Sequence, residues 1–281
     1  VLCEVCPATA RDEIVEKLCD RWKISIDNPL HCFELTNELV AKKSGFEDIY
    51  DFFKNCRYYK RGRNYELLRD HLLAQDETKL GDVQKLLFRL LDFKKKVQND
   101  KTSINNLLQI SRVHPDTKSK FNIINIRALV DKLHSLSGET LASYLEKLFE
   151  FYQLGDDLYD ECIRYTIAEE IDSLVSLKQY MLECLFVNAD DAVLTDLELQ
   201  DSSTSIDNFL NIKMDIFECW YDFINRTDEK SDVIYHTFHS TKGLEFDNVL
   251  ILLTKKFGRD KEYFSSLLKT FPEKTDAKYD S

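Results

Sequence analysis

Residues 233–251 read VIYHTFHSTKGLEFDNVLI and contain two apolar segments separated by a polar turn. Residues 233–238 are rich in β-branched and aromatic side chains, which predicts a strand. Residues 248–253, NVLILL, form an almost continuous apolar run, which is typical of a buried parallel strand. Ligands of open α/β sheets bind beside the carboxyl ends of the strands, so the turn is a candidate site. From spacing alone, an ordinary turn with solvated Lys242 and Glu245 side chains explains the pattern equally well.

The first 50 residues alternate strand and helix signals. Residues 1–6 and 31–35 form two short, mostly apolar segments, which predicts two strands. Residues 12–22 carry apolar side chains three and four positions apart, which predicts an amphipathic helix. Asn37 favours the start of a second helix, which Gly45 ends. This order is typical of a parallel sheet, which we expect the two later strands to join.

The middle of the chain, from Phe46 to about Tyr221, shows repeated helical spacing of apolar residues and little strand signal. We therefore expect an α/β, helix-rich fold in which a large all-α insertion interrupts a partial parallel sheet. Residues 189–211 contain six acids and no Lys or Arg, which predicts a loop or exposed linker with solvated charges. Residues 94–96 are three consecutive lysines, which favour a solvated helix face.

Composition limits the class of protein. The 281 residues carry a formal net charge of −12, which argues against a protein that coats nucleic acid non-specifically. We find no apolar run of bilayer length and no signal peptide, and the eight cysteines lack regular spacing. Cys3 and Cys6 form the one CxxC, without a second ligand pair, so we expect no metal site and a cytoplasmic protein with reduced thiols. The chain begins with Val1 rather than Met, so we expect it to be part of a longer protein.

The pattern TxHxxKGLEFxxV resembles the fifth signature motif of UvrD/Rep/PcrA-type superfamily 1 DNA helicases. The matching residues are Thr237, His239, Lys242, Gly243, Leu244, Glu245, Phe246 and Val249. Residues 35–46, LTNELVAKKSGF, are also similar to a segment of some members. In this family a helical insertion interrupts the second RecA-like domain just before the fifth motif. The resemblance therefore implies that residues 1–50 begin this motor domain, residues 51–230 form the insertion, and residues 231–281 return to the motor domain.

The resemblance also implies roles for individual residues. Thr237 and His239 would contact single-stranded DNA, and Lys242 would either bind a DNA phosphate or make a structural contact. Glu245 would accept hydrogen bonds from the ribose hydroxyls of ATP, beside Gly243, which lets the backbone approach closely. One short turn would thus join nucleotide to DNA. Two further positions of the motif are expected to pack in the core, namely Leu244 and Phe246.

The motifs that hydrolyse ATP are not found in this sequence. It contains no GxxxxGK(S/T) phosphate-binding loop, no Asp-Glu pair that ends an apolar strand, and no arginine-bearing sixth motif. The resemblance implies that the full-length parent binds ATP and Mg²⁺, hydrolyses ATP and unwinds DNA. We expect the isolated chain to need no cofactor and to show no ATPase activity.

A basic segment at residues 54–65, KNCRYYKRGRNY, holds five bases and three tyrosines. Basic residues interleaved with aromatics favour phosphate binding together with base stacking. Within it, the candidate DNA contacts are Arg57, Lys60, Arg61 and Arg63. An exposed helix end and loop with partly buried tyrosines explains the segment equally well.

Histidines outside the motif show no metal-ligand spacing. His31, His71, His114 and His134 have no ligand-spaced partner in sequence. His236 alternates with Thr237 along the predicted strand, so we expect it to be packed or half-exposed rather than to contact DNA.

Two functions from different classes fit these observations. The first is a C-terminal fragment of an ATP-dependent DNA helicase or translocase, with single-stranded and duplex DNA as partners and no membrane. The alternative is a non-catalytic helical interaction module in which the KGLEF turn is degenerate and the acidic middle docks a protein partner.

Overall fold

A computed structural model describes most of the chain. The described residues are 11–34, 37–60, 64–98, 123–153, 171–188, 193–225, 232–237, 243 and 245–252. The chain divides into two compact units, one formed by Val1–Val40 with Thr227–Ser281 and the other by Ala41–Arg226. Many helices and a small parallel sheet make up the described part. This confirms the predicted helix-rich α/β fold with a helical insertion.

In its described residues the first unit contains a three-stranded parallel sheet. Its strands are β1 (Leu30–Glu34), β2 (Val233–Thr237) and β3 (Val249–Leu252), and they lie in the order β2-β1-β3. The two strands predicted from the 233–251 stretch are confirmed, and so is the strand predicted at residues 31–35, which begins one residue earlier. The strand predicted at residues 1–6 lies outside the described residues.

Helix α1 (Arg11–Trp22) covers one face of this sheet. Leu30 and Cys32 point to that face because they alternate along β1, and both are completely buried. They pack against Val15 and Leu18 of α1, which lie three positions apart on one side of the helix. This contact confirms the amphipathic pattern that predicted α1.

Strand β3 differs from the prediction of a buried strand. Val249 is 38% exposed and Ile251 is 51% exposed, whereas Leu250 on the opposite side packs against the cluster beneath α1. The cause is topological, because β3 forms an edge of the described sheet and has one strand neighbour there. The apolar run therefore predicted the strand correctly and its burial incorrectly.

The second unit is helical in its described residues. In chain order its helices, including α2 at the boundary, are α2 (Asn37–Lys43), α3 (Glu47–Asn55), α4 (Arg57–Lys60), α5 (Asn64–Leu73), α6 (Asp82–Gln98), α7 (Ile123–His134), α8 (Leu141–Gln153), α9 (Leu174–Leu182), α10 (Asp196–Leu210) and α11 (Met214–Ile224). A 3₁₀ turn at Glu77–Lys79 and a π turn at Glu183–Val187 connect some of them. Gly45 follows α2 with φ of +81°, a backbone conformation that favours glycine, so the predicted helix end is confirmed.

Aromatic side chains dominate the core of this second unit. Phe52 of α3 stacks on Phe209 of α10 with ring centroids 4.0 Å apart. Trp220 of α11 is completely buried, and its indole Nε1 donates a hydrogen bond to the carbonyl oxygen of Leu72 at 3.2 Å. A buried indole needs such a partner, because an unsatisfied N–H would oppose burial.

The linker predicted at residues 189–211 is wrong, because most of it forms helix α10. Thr195 and Glu198 make a capping box in which each side chain binds the other residue's backbone N–H. Ile206, Phe209 and Leu210 are buried at helical spacing, while the four acids of α10 lie at exposed or half-exposed positions; Asp190 and Asp191 lie outside the described residues. The acids are the solvated face of an amphipathic helix.

The solvated lysine face predicted at residues 94–96 is also wrong. Lys94 is buried and pairs with Glu218 of α11. Lys95 pairs with Asp222 on α11, and Lys96 pairs with Asp92 one turn earlier on α6. Lys94 and Lys95 therefore link α6 to α11, whereas Lys96 forms an ion pair within α6.

None of the described helices is long and apolar enough to cross a membrane. The cysteines within the described ranges, which are Cys19, Cys32, Cys56, Cys184 and Cys219, are all free thiols. No group of three or more potential metal ligands occurs among the residues that the structure describes.

Candidate nucleotide and DNA site at the KGLEF turn

The chain leaves the sheet for the KGLEF turn at the carboxyl end of β2. Thr237 is the last residue of β2 and pairs in register with Glu34, the last residue of β1. Leu252, the last residue of β3, pairs with Glu34 from the other side. The three strands thus end at one level, and the chain leaves β2 for the turn at the edge where open α/β sheets bind their ligands.

Two predicted nucleotide-binding residues of the turn are exposed. Gly243 has φ of +89°, which residues with a Cβ rarely adopt, and a Cβ placed there would meet no atom of the described residues within 4 Å. Glycine is therefore required here by backbone conformation, and none of the described residues fills the space beside it. Glu245 is exposed two residues later, so its carboxylate is accessible to a ligand that offers hydroxyl donors.

Phe246 holds the end of the turn against the sheet. The Phe246 ring lies on the face opposite α1, with its centroid 4.0 Å from the His31 ring and 5.3 Å from the His236 ring. It also meets the edge of the Phe33 ring at 5.7 Å. These contacts agree with the packing role predicted for Phe246 and fix the residue that directly follows Glu245.

A histidine pair lies beneath Phe246. Nδ1 of His31 and Nε2 of His236 are 2.9 Å apart, and the two rings stack with centroids 5.2 Å apart and an angle of 20° between their planes. His236 is buried, 7% exposed, which confirms its predicted packing. The sequence analysis missed the pairing, because it emerges only once the parallel register of β1 and β2 is known.

Four further motif residues lie partly or wholly outside the described residues. The side chain of Thr237 lies outside the described residues, although its backbone ends β2. His239, Lys242 and Leu244 also lie outside them. Their predicted roles stay predictions.

The basic segment at residues 54–65 does not offer all its aromatic rings to a ligand. Tyr59 is 1% exposed, and its hydroxyl lies 2.9 Å from Nδ1 of His71 and accepts a hydrogen bond from Gln84 at 2.9 Å. Burial raises the pKa of Tyr59, so this hydroxyl stays protonated and can donate to His71. The hypothesis that Tyr59 stacks on a base is therefore wrong, because its ring is part of the core.

Cationic groups of the segment remain candidates for phosphate binding. Lys60 is exposed, Arg57 is half-buried, and Tyr58 is half-buried beside the His71 ring at 6.5 Å. Arg61 and Arg63 lie outside the described residues, as does the side chain of Tyr65.

Comparison with known proteins gives one informative similarity. No family model matches the chain, and no solved structure matches it. The chain is 34% identical to Gabija protein GajB of Bacillus cereus over 260 residues, which is 92% of the chain. It spans 36% of the length of that relative, so the similarity covers nearly all of this chain and about a third of GajB.

Proposed function

We propose that the chain is the second motor domain, with its helical insertion, of an ATP-dependent superfamily 1 DNA helicase or translocase. One observation carries the proposal: the chain leaves β2 at the carboxyl edge of a parallel sheet, and in the turn that follows Glu245 is exposed two residues after Gly243, whose φ is positive. The similarity to GajB supports assigning the longer protein to a Gabija-type system.

Glu245 supplies the nucleotide contact in this proposal. An exposed carboxylate accepts hydrogen bonds from two neighbouring hydroxyls, and the ribose of ATP presents such a pair. None of the described residues fills the space beside Gly243, so a ribose can approach the backbone of the turn there. ATP and Mg²⁺ belong to the longer protein, whose other segments would supply the phosphate-binding loop and the metal ligands.

DNA contacts the same turn from its other end. Thr237 and His239 would donate hydrogen bonds to the phosphates of a single strand, and Lys242 would add a positive charge. The nucleotide and DNA contacts are then separated by only a few residues. Movement of the turn on ATP turnover would therefore be transmitted to the DNA.

The nucleotide role is tested in the longer protein by DNA-stimulated ATP hydrolysis. Glu245→Gln weakens the acceptor, and a hydrogen bond to a charged group contributes about 1.5–3 kcal/mol, so KM for ATP rises about tenfold or more. Asp247→Asn is the matched control, because Asp247 is also an exposed acid, two residues away. Equal KM values for the two variants, or no DNA-stimulated hydrolysis by the unaltered protein, would contradict the proposal.

The DNA role is tested on the chain itself with a fluorescent single-stranded oligonucleotide. The single variants Thr237→Ala and His239→Ala should each bind the oligonucleotide more weakly. The control Ser240→Ala, which alters a residue between His239 and Lys242, should leave binding unchanged. Loss of binding in all three variants would indicate misfolding, which circular dichroism detects. Unchanged binding in every variant would exclude this turn as a DNA contact.

A second candidate function is a non-catalytic interaction module, and the surface at the start of α10 favours it. Val193 is 93% exposed and Leu197 is 68% exposed, and Leu197 stands between the exposed acids Asp196 and Glu198 in sequence. A stable protein complex that is lost on Leu197→Ser, together with no DNA binding, would favour this candidate over the motor domain.

A further inference from the structure

The face of the sheet opposite α1 carries a three-ring cluster of His31, His236 and Phe246. Hydrogen bonding between two imidazoles requires one ring to donate an N–H and the other to accept with an unprotonated nitrogen. The 2.9 Å contact between Nδ1 of His31 and Nε2 of His236 therefore fixes the orientation of both rings. His236 is buried on β2, so it gives the half-buried His31 a rigid partner across the sheet.

Phe246 rests on this pair. The Phe246 and His31 ring centroids are 4.0 Å apart with planes tilted by 35°, which is the closest ring contact of the cluster. A change in the plane of the His31 ring would therefore displace the Phe246 ring. Because Glu245 is the preceding residue, such a displacement also moves its carboxylate.

Phe246 anchors the described part of the turn to the face of the sheet. Gly243 has no side chain, and Glu245 and Asp247 are both exposed. The aromatic contact with the histidine pair thus restrains the backbone next to the proposed nucleotide contact, and the hydrogen bonds of Asn248 to Asn28 and to the backbone N–H of His31 restrain the chain two residues later.

We infer that His31 and His236 are positioning residues that hold Glu245 in place for the ribose of ATP, acting through Phe246. This inference rests on the proposed function and extends it, since neither histidine belongs to the KGLEF turn. The pair does not touch the nucleotide. Its effect is confined to the affinity for ATP and does not extend to the chemical step.

The test uses the longer protein and measures kcat and KM for ATP with saturating single-stranded DNA. His236→Leu removes the hydrogen bond and raises KM for ATP about fivefold with kcat changed less than about twofold, because misplacing a binding group weakens binding. His236→Gln should keep the KM of the unaltered protein, since the Gln amide reaches the position of Nε2 and can make the same hydrogen bond. His31→Asn also retains the bond, since the Asn amide takes the position of Nδ1, and His31→Leu gives a second disrupting variant should His236→Leu fail to fold.

A double-mutant cycle separates positioning from general support of the fold. In the Glu245→Gln background, His236→Leu has no further effect on KM if the pair acts through Glu245. A fivefold effect that persists in that background, or an unchanged KM for both Leu variants, would overturn the inference. Failure of Glu245→Gln itself to raise KM would instead overturn the proposed function, so the two failures are distinguishable.

Discussion

Nζ of Lys94 lies 2.6 Å from Oε1 of Glu218, although only 8% of the Lys94 side chain is exposed. The same ammonium donates to Oε1 of Gln98 at 2.9 Å and lies 5.7 Å from the centre of the Tyr144 ring. Three elements of the second unit, α6, α8 and α11, thus meet at one buried cation. Burying a charge is unfavourable unless partners compensate it, and here a carboxylate, an amide and an aromatic face do so.

We expect Glu218→Ala to lower the free energy of unfolding by about 2–3 kcal/mol, because it leaves the buried ammonium without its carboxylate. Lys94→Met removes the charge itself and keeps the apolar stem, so its cost is smaller than that of Glu218→Ala. Urea denaturation measures both.

The control for this pair is Asp222→Ala. Lys95 and Asp222 join the same two helices, but their side chains are 33% and 37% exposed. An exposed pair contributes less than about 1 kcal/mol. Equal costs for Asp222→Ala and Glu218→Ala would contradict a special role for the buried cation.

Tyr59 links two helices through its hydroxyl, which accepts from Gln84 and donates to His71. Tyr59→Phe leaves both partners in place without this oxygen, which we expect to cost about 1–3 kcal/mol of stability. Tyr58→Phe is the control on the same helix, since Tyr58 is only half-buried. A cost for Tyr59→Phe no greater than that of the control would show that the buried chain of hydrogen bonds adds nothing.

The stability of the second unit should depend on pH through His71. Burial lowers the pKa of His71 below its usual value of 6.5, and the opposing effect of the Asp70 carboxylate is smaller. The unfolded chain therefore binds this proton more readily than the folded chain. The contribution of His71 is complete above about pH 6.5 and is lost as the pH falls towards the lowered pKa of the folded state.

His71→Asn removes the titration and keeps an acceptor near the Nδ1 position. Urea denaturation at several values between about pH 7 and pH 5 should show a smaller loss of stability for this variant than for the unaltered chain. Parallel curves for the two proteins would rule out His71 as the source of the pH dependence.

Helix α10 depends on its capping box. We expect Thr195→Ala to destabilise the chain by about 1 kcal/mol, because the backbone N–H of Glu198 loses its acceptor. Thr195→Ser keeps the hydroxyl and should retain most of the stability. Indistinguishable unfolding curves for the Ala and Ser variants would mean that tertiary packing alone holds the start of this helix.

Much of the fold could be predicted from the sequence, since local signals and tertiary structure agree there. Asn37 and Gly45 bracket α2, and apolar spacing defined α1. The error at residues 189–211 arose because the number of acids was given more weight than two helix signals. These signals are the spacing of the buried residues Ile206 and Phe209 and the capping box of Thr195 and Glu198 that precedes them. Charge composition describes the exposed face of a helix and does not exclude a buried one.

The candidate site shows where local signals are insufficient. The motif located Gly243 and Glu245 in an exposed turn without any knowledge of the sheet. The contact between His31 and His236 joins positions 205 residues apart, and it depends on which strands pair and in which register. Neither the pairing of the strands nor their register can be read from the spacing of residues along one strand.

The structure excludes one way in which the basic segment at residues 54–65 could bind DNA, namely base stacking by Tyr59. Tyr59 is buried, so the segment should bind phosphates through cations such as exposed Lys60 rather than by stacking this ring on bases. Lost phosphate contacts reduce the slope of log Kobs against log salt by about 0.7 each for single-stranded DNA.

We expect charge reversal at Arg57, Lys60, Arg61 and Arg63 to weaken binding of a single-stranded oligonucleotide and to reduce this slope. Lys60→Glu alone should lower the slope by about 0.7, because Lys60 is exposed and its replacement leaves the core intact. Lys79→Glu provides the matched control, as an exposed lysine on the 3₁₀ turn of the same unit. Fluorescence anisotropy across a range of salt concentrations measures the slopes. A phosphate contact changes the number of counterions released and therefore the slope. Identical slopes for the Lys60 and Lys79 variants would therefore contradict a phosphate contact by Lys60 and favour the alternative of an exposed helix end with partly buried tyrosines.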